Sequence, residues 1–246
     1  MAEESSYPKL ARNAVNRYGK PRGKYDFQTI HTIVNTSPVL HVSFPTPDPK
    51  DLFSAIIPML SFMGSFTSQN AALDIPLDLY LHGYISSRLM RLSSTPSFNE
   101  EGDGLPLTIA ATHVDGLVLA LTPNSHSYNY RSAILHGFAT PRWSHSRIPP
   151  TKTEMASTQI LKVTIVDASA KIRVGPPSDD RADMRNEEVR ATTWIGVVPT
   201  WTMLGTPVAS GGNRVAEVPE HVMRFVREHN EEGERNAVAA VQAAKK

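Results

Sequence analysis

Cysteine is missing from the 246 residues. Its absence excludes disulfides, thiolate catalysis and zinc or iron–sulfur sites built on cysteine, and it fits a reducing compartment. No apolar run approaches the roughly 18 residues that a transmembrane helix needs. The first ten residues, MAEESSYPKL, also lack the apolar core of a signal peptide. We therefore expect a soluble cytoplasmic protein without a membrane partner.

An excess of one charge is missing as well. Lys and Arg number 25 against 24 Asp and Glu, so net charge gives no reason to expect a nucleic-acid partner. The chain has no nucleophile elbow, P-loop or H-E-x-x-H motif, and its nine histidines are scattered. We expect no metal site from this pattern.

The hydrophobic pattern of the sequence is mainly that of β-strands. Period-2 alternation and short apolar runs predict strands at 39–44, 53–66, 77–82, 107–121, 132–139, 160–168 and 194–199. Helical spacing predicts a short helix within 25–35, capped by Asp26, and another that begins at Pro219. The predicted class is mainly β with a few helices, and short connections between antiparallel strands favour a closed barrel.

This reading divides the chain into three parts. Residues 1–24 are polar and basic and form an N-terminal arm, residues 25–218 form the barrel domain, and residues 219–246 form a C-terminal helix and tail. The charged and then Ala-rich end of the chain predicts a frayed helical tail.

Residues 77–92, LDLYLHGYISSRLMRL, predict a strand that turns into a helix. Ser86 and Ser87 are both good N-cap residues, and the helical pattern begins at Arg88. The free backbone N–H groups at such a helix start attract anions. With the Ser87 hydroxyl, the Arg88 guanidinium and Arg91 nearly one turn further on, the stretch suits a phosphate. The alternative is an ordinary capped surface helix with two solvated arginines.

A second polar stretch, NSHSYNYRSAILHG (124–137), precedes an apolar strand. Tyrosines such as Tyr130 can cover a flat heteroaromatic ring, and Asn129 can recognise an amide-like edge. Arg131, followed by Ser132, can reach a phosphate or a ring oxygen. The alternative is a polar loop whose tyrosine rings pack on the barrel rim.

Six stretches taken together resemble the pyridoxamine 5'-phosphate oxidase-like, FMN-binding split-barrel family. They are RGKYDFQTIHTIVN (22–35), LHGYISSRLMRL (81–92), ATHVDGLVLAL (111–121), SHSYNYRSAILHGFA (125–139), ASAKIRVGPPSDD (168–180) and WIGVVP (194–199). The resemblance covers roughly residues 20–220 and is strongest to the branch of nitroimidazole-resistance-type and flavin-nucleotide-binding proteins. It implies a six-stranded split β-barrel, a homodimer, and FMN at the subunit interface.

The resemblance also implies roles for matching residues. In the family, the strand–turn–helix binds the flavin phosphate, which here means Ser87 and Arg88, with His82 beneath the cofactor. The Tyr-Arg-Ser sequence at 130–132 contributes further flavin contacts. His82 is the positional candidate for the histidine that some relatives place near the substrate, and a satisfied structural histidine is the alternative.

One departure from the family pattern follows Ala139. Relatives continue there with an acidic turn and a helix of several turns, whereas Thr140 leads directly into Pro141, Arg142 and Trp143. The pattern therefore predicts that this helix is missing, through a real deletion or an error in the gene model. Its loss would affect packing, dimer contacts and cofactor retention.

These observations lead to one functional hypothesis and two alternatives. The hypothesis is an FMN-dependent oxidoreductase in which reduced FMN passes electrons to a small-molecule acceptor. The alternatives are a non-catalytic flavin-nucleotide-binding protein, and a fold-only relative that lost its cofactor together with the missing helix.

Overall fold

The computed structural model describes residues 5–15, 22–48, 50–68, 70–95, 104–141 and 157–243. The strands in these ranges are β1 (Gly23–Lys24), β2 (Leu40–Phe44), β3 (Ala55–Gly64), β4 (Asp78–Tyr84), β5 (Leu105–Leu119), β6 (Ser127–Pro141), β7 (Thr158–Arg173) and β8 (Gly196–Pro199). The α-helices in the same ranges are α1 (Phe27–Thr36), α2 (Arg88–Ser93), α3 (Glu187–Thr192) and α4 (Glu220–Gln242).

The chain divides into two compact units. The first comprises Met1–Thr112 with Ser132–Lys171, and the second comprises His113–Arg131 with Ile172–Lys246. The boundary falls within the long strands β5, β6 and β7, so each of these strands contributes residues to both units. The division into arm, barrel and C-terminal helix stays a prediction.

The first unit contains a closed six-stranded antiparallel barrel. Its strand order is β7-β4-β3-β2-β5-β6, and pairing between β6 and β7 closes the ring, while the two-residue β1 adds to β7. The predicted fold class, mainly β with a split barrel, is confirmed.

Alternation along the strands fills the barrel. Leu79 and Leu81 of β4 are fully buried, as are Leu40 and Val42 of β2. His82, which follows Leu81, is exposed on the opposite face of β4. Successive side chains on a strand point to opposite faces, so each strand contributes one apolar row to the core. This periodicity made β2 and β4 predictable from the sequence.

Helix α1 forms where the sequence predicts it. The Asp26 carboxylate accepts a hydrogen bond from the Thr29 backbone N–H at 2.9 Å and so caps the first turn. Ile30, Ile33 and Val34 are buried, as expected for the apolar stripe of an amphipathic helix.

The polar residues before Ala133 differ from the prediction. They were expected to precede a strand that starts at Ser132, but β6 already begins at Ser127 and includes the tyrosine-rich stretch. Asn129 is fully buried there because partners elsewhere in the second unit satisfy its amide group. The polar side chains of this stretch are typical of a loop. They are accommodated in a strand because the buried Asn129 amide finds hydrogen-bond partners at Arg173 and Gly175.

The end of α4 also differs from the prediction. The helix continues through Gln242, and Ala237 and Ala240 are buried in the second unit, so the frayed tail predicted for this stretch is wrong up to that residue. Val222, Phe225 and Val226 have the helical spacing of an apolar stripe, but Phe225 is 63% exposed and the buried residues of the helix lie near its end. Small alanines allow a close approach, and the Ala240 carbonyl accepts a hydrogen bond from the Gly175 N–H at 2.7 Å.

The site of the missing family helix lies at the end of β6, where a described range of residues ends. The family helix was predicted to be missing after Ala139; β6 continues there through Thr140 to Pro141, and residues 142–156 lie outside the described residues. None of the helices within the described ranges combines the length and the apolar character needed to cross a membrane.

Candidate functional site

The predicted strand–turn–helix is present in the first unit. Strand β4 ends at Tyr84, and α2 begins at Arg88, the residue at which the helical pattern was predicted to start. Ser87 is the N-cap, and its hydroxyl oxygen accepts a long hydrogen bond of 3.4 Å from the Met90 N–H. Ser86 lies exposed in the turn. The hydroxyl hydrogen of Ser87 therefore remains available as a donor at the helix start.

Two arginines belong to this short helix. Arg88 and Arg91 are both exposed, and within the described part of the chain neither forms an ion pair with a carboxylate. The guanidinium carbon of Arg88 lies 5.8 Å from the centre of the Phe44 ring, which is within cation–π distance. Both guanidinium groups can thus accept an anionic partner from outside the unit without first breaking an ion pair.

An apolar surface lies on β4, which leads to this turn, and on its neighbour β3. The outward row of β3 includes Ile56, Leu60 and Phe62, of which Leu60 is 64% exposed. Leu60 pairs with His82 of β4, and Phe62 stacks on the Tyr80 ring at 6.0 Å. We call this set of five residues the β3–β4 face. His82 is exposed on it and is not a buried structural histidine.

The other predicted site residues are engaged within their own units. In the second unit, Nε and Nη2 of Arg131 each bind one carboxylate oxygen of Asp115 at 2.9 Å. The buried Asn129 side chain donates to the Gly175 carbonyl at 3.2 Å and accepts from Arg173 at 2.6 Å. Arg131 and Asn129 therefore have a structural role, and their flavin contacts stay predictions.

Tyr130 and Ser132 complete the predicted set. Tyr130 is half-buried in the second unit. Ser132 belongs to the first unit, where its hydroxyl donates to the Lys171 carbonyl at 3.3 Å. The structure thus leaves His82, Arg88 and Arg91 exposed along the strand–turn–helix, and it places Asn129 and Arg131 in hydrogen bonds within the second unit.

A polar cluster in the first unit was missed by sequence reasoning. The fully buried carboxylate of Asp167 binds the side chains of Arg12, Asn13 and His136. Arg12 and Asp167 lie 155 positions apart, so no local spacing signals their contact. Among the described residues, no group of three or more His, Asp and Glu side chains could hold a metal ion.

In comparisons with known proteins the chain matches a family model and several solved structures, two of which follow. Residues 26–142 match the family model described as pyridoxamine 5'-phosphate oxidase. The flavocytochrome Anf3 from Azotobacter vinelandii is 22% identical with a TM-score of 0.65, over 87% of this chain and 96% of that chain. The FAD and heme binding protein from Mycobacterium smegmatis is 22% identical with a TM-score of 0.63, over 84% and 98%.

At this level of identity the two solved structures show the fold alone. Each match covers nearly the whole length of the solved chain and more than four fifths of this chain. The similarity therefore extends beyond the stretch that the family model matches. No curated protein matches the chain.

Proposed function

Because residues 26–142 match the family model described as pyridoxamine 5'-phosphate oxidase, we propose that this protein binds a flavin nucleotide. The observation that carries the proposal is the exposed β3–β4 face, which leads into the turn of Ser87, Arg88 and Arg91. An exposed apolar surface and two exposed arginines on consecutive elements, neither ion-paired within the described residues, are complementary to a molecule with a flat ring system and a phosphate.

The chemistry of this donor set fits a phosphate. The first backbone N–H groups of α2 and the Ser87 hydroxyl would donate to its oxygens, and Arg88 would neutralise its charge. The ring system would cover apolar side chains of the β3–β4 face that are exposed in the single chain. Placement of the ring against His82 follows the family resemblance.

We propose that the bound flavin serves an oxidoreductase. The flavin would supply hydride or single-electron chemistry when bound, and the chain would supply binding, orientation and exclusion of water. His82 is the candidate catalytic residue, because its exposed imidazole on the β3–β4 face offers one hydrogen-bond donor and one acceptor to a small-molecule acceptor of electrons. A non-catalytic flavin carrier is the alternative, and it requires the same site.

The identity of the nucleotide remains part of the proposal. The sequence resemblance favours FMN, whereas one similar structure is described as an FAD and heme binding protein. Equilibrium titration with FMN, FAD and riboflavin distinguishes them. We expect FMN to bind most tightly and riboflavin, which lacks phosphate, to bind most weakly. Equal affinity for riboflavin and FMN would contradict the phosphate clamp.

The enzymatic part has a separate test. The flavin-loaded protein is mixed with NADH or NADPH without oxygen, and the flavin absorbance is followed. Bleaching, with recovery of colour when an electron acceptor is added, supports an oxidoreductase. Stable yellow colour under the same conditions supports the flavin carrier, and a protein that refuses every flavin supports the fold-only relative.

A further inference from the structure

Arg88 is held by an aromatic ring rather than by a carboxylate. Its guanidinium carbon lies over the Phe44 ring, 5.8 Å from the ring centre. The first turn of α2 holds no acidic residue, and none of the ion pairs in the described part of the chain includes Arg88. An exposed arginine without a partner samples many rotamers in solvent, so the ring contact restricts a side chain that would otherwise be free to move.

Phe44 is a rigid support for this contact. It is 1% exposed at the end of β2, where it pairs with Ala55 of β3. The preceding residue, Ser43, pairs with Thr108 of β5 on the other side of the strand. A buried ring on a strand with a neighbour on each side has little freedom to change rotamer. The ring therefore offers the Arg88 guanidinium a fixed surface.

An aromatic ring and a carboxylate affect an arginine in different ways. A carboxylate neutralises the guanidinium and occupies its N–H donors. A ring attracts the cation through its quadrupole and leaves the positive charge without a counter-charge. The N–H donors of a guanidinium form a planar fork that suits phosphate oxygens. The contact with Phe44 thus restrains Arg88 and preserves its capacity to bind an anion.

Arg91 provides a comparison within the same helix. It is also exposed, but within the described ranges its guanidinium lies over no aromatic ring. Arg91 would lose its rotamer freedom at the moment it binds an anion, whereas Arg88 has lost part of that freedom beforehand. The two arginines of α2 therefore differ in preorganisation as well as in their distance from the first turn.

We propose that Phe44 is a positioning residue that orients Arg88 for the phosphate of the bound nucleotide. The inference rests on the proposed flavin site and adds to it a residue without a polar group, on a strand outside the strand–turn–helix. Phe44 is too deeply buried to touch a ligand, so it acts through the guanidinium of Arg88. It therefore contributes to the affinity for a flavin that carries a phosphate and not to the affinity for the ring system alone.

Phe44→Leu tests this role, because it removes the ring and keeps an apolar side chain. We expect the dissociation constant of FMN to rise about threefold to thirtyfold, which is the range that a cation–π contact accounts for. Riboflavin, which lacks the phosphate, should bind the variant and the wild type equally well. An equal loss of affinity for both flavins would assign the effect to packing and overturn the proposal.

Phe27→Leu is the matched control. Phe27 is 4% exposed in the same unit, and its ring packs on Tyr7 and His31 instead of on an arginine. The control should leave the ratio of the FMN and riboflavin dissociation constants at the wild-type value. A change of this ratio as large as that in Phe44→Leu would show that any loss of a buried ring has the same effect, and it would count against the proposal.

A double-mutant cycle shows whether Phe44 acts through Arg88. In Arg88→Ala, the additional change Phe44→Leu should cause no further loss of FMN affinity, because the guanidinium that the ring orients is already absent. Losses that multiply would mean that the two side chains act independently, which contradicts the proposal. If Arg88→Ala alone leaves FMN binding unchanged, the phosphate clamp fails, and the role of Phe44 fails with it. If Arg88→Ala weakens FMN binding and Phe44→Leu does not, only the positioning role fails.

A measurement on the wild-type chain does not depend on the stability of these variants. The ring current of Phe44 should move the side-chain proton signals of Arg88 upfield of those of Arg91, with Arg88→Lys and Arg91→Lys used to assign the two sets. The upfield shift should persist in the FMN complex. Equal chemical shifts for the two arginines, or loss of the shift when FMN binds, would overturn the proposed positioning.

Discussion

Arg88 and Arg91 lie on the same six-residue helix at different distances from its first turn. Arg88 follows the cap, where backbone N–H groups are free to bind an anion, and Arg91 lies nearly one turn further on. Loss of a charge-assisted contact that ligand binding desolvates costs on the order of 2–4 kcal/mol. Arg88→Ala should therefore weaken FMN binding roughly 30-fold to several hundred-fold.

Arg91→Ala is the matched control for this prediction. Its guanidinium reaches the phosphate from the side at best, so the loss should be about tenfold or less. Dissociation constants for both variants, measured in one buffer at one salt concentration, compare the two arginines. Small and equal losses would mean that the turn is only a helix cap.

His31 makes the stability of the first unit depend on pH. Burial lowers its pKa, although its hydrogen bond to the Leu73 carbonyl acts in the opposite direction. That carbonyl can only accept, so Nδ1 carries the proton, and Nε2 accepts from the Tyr7 hydroxyl at 2.8 Å. The folded state thus holds a neutral imidazole, while the unfolded state takes up a proton below a pH of about 6.5.

The free energy of unfolding should therefore fall as the pH is lowered through about 6.5 towards the depressed folded-state pKa. Urea unfolding at a series of pH values measures this loss. His31→Gln removes the titrating group and should flatten the dependence, whereas His41→Gln should leave it close to that of the wild type. An equally steep fall in His31→Gln would assign the pH dependence to other groups.

At the scale of elements, the last turns of α4 should contribute to the stability of the second unit. The Ala240 carbonyl accepts hydrogen bonds from the Gly175 N–H and, at 3.4 Å, from the Asn129 amide. A chain that ends at Asn230 lacks this acceptor and the buried Ala237. The truncation should cost on the order of 2–4 kcal/mol, because two buried donors lose a partner.

Thermal unfolding of the truncated chain tests this prediction. The control is a chain that ends at Ala243, which keeps every contact of α4 that the structure describes and should unfold at the wild-type temperature. If both truncated chains are equally stable, the end of α4 contributes nothing and behaves as the frayed tail that its composition suggests.

At the scale of the whole molecule, the β3–β4 face is the expected subunit interface. Exposed Leu60 and Phe62 form part of an apolar surface, and such surfaces mark interaction sites in soluble proteins. A flavin shared between subunits also requires a second copy of the chain. Light scattering should give about twice the 27.1 kDa chain mass.

Leu60→Asp tests which surface forms the dimer. A charge in the centre of an apolar interface should shift the protein to a monomer and weaken FMN binding with it. Val208→Asp is the control, since Val208 is 92% exposed in the second unit. A wild-type monomer that still holds FMN would show that one chain completes the cofactor site.

The sequence by itself determined the features that depend on neighbouring residues. The alternation in β4, the Asp26 cap of α1 and the start of α2 at Arg88 each follow from spacings of two to four residues. The same alternation recurs in the other strands of the barrel. The fold class and the strand–turn–helix could therefore be predicted.

Only the tertiary structure decided the features that depend on distant partners. The pairing of Arg131 with Asp115 spans 16 positions, and that of Asn129 with Arg173 spans 44. The Arg12–Asp167 contact in the first unit spans 155. A buried polar group takes whichever partner the fold brings within hydrogen-bond distance, and local periodicity holds no information about that partner.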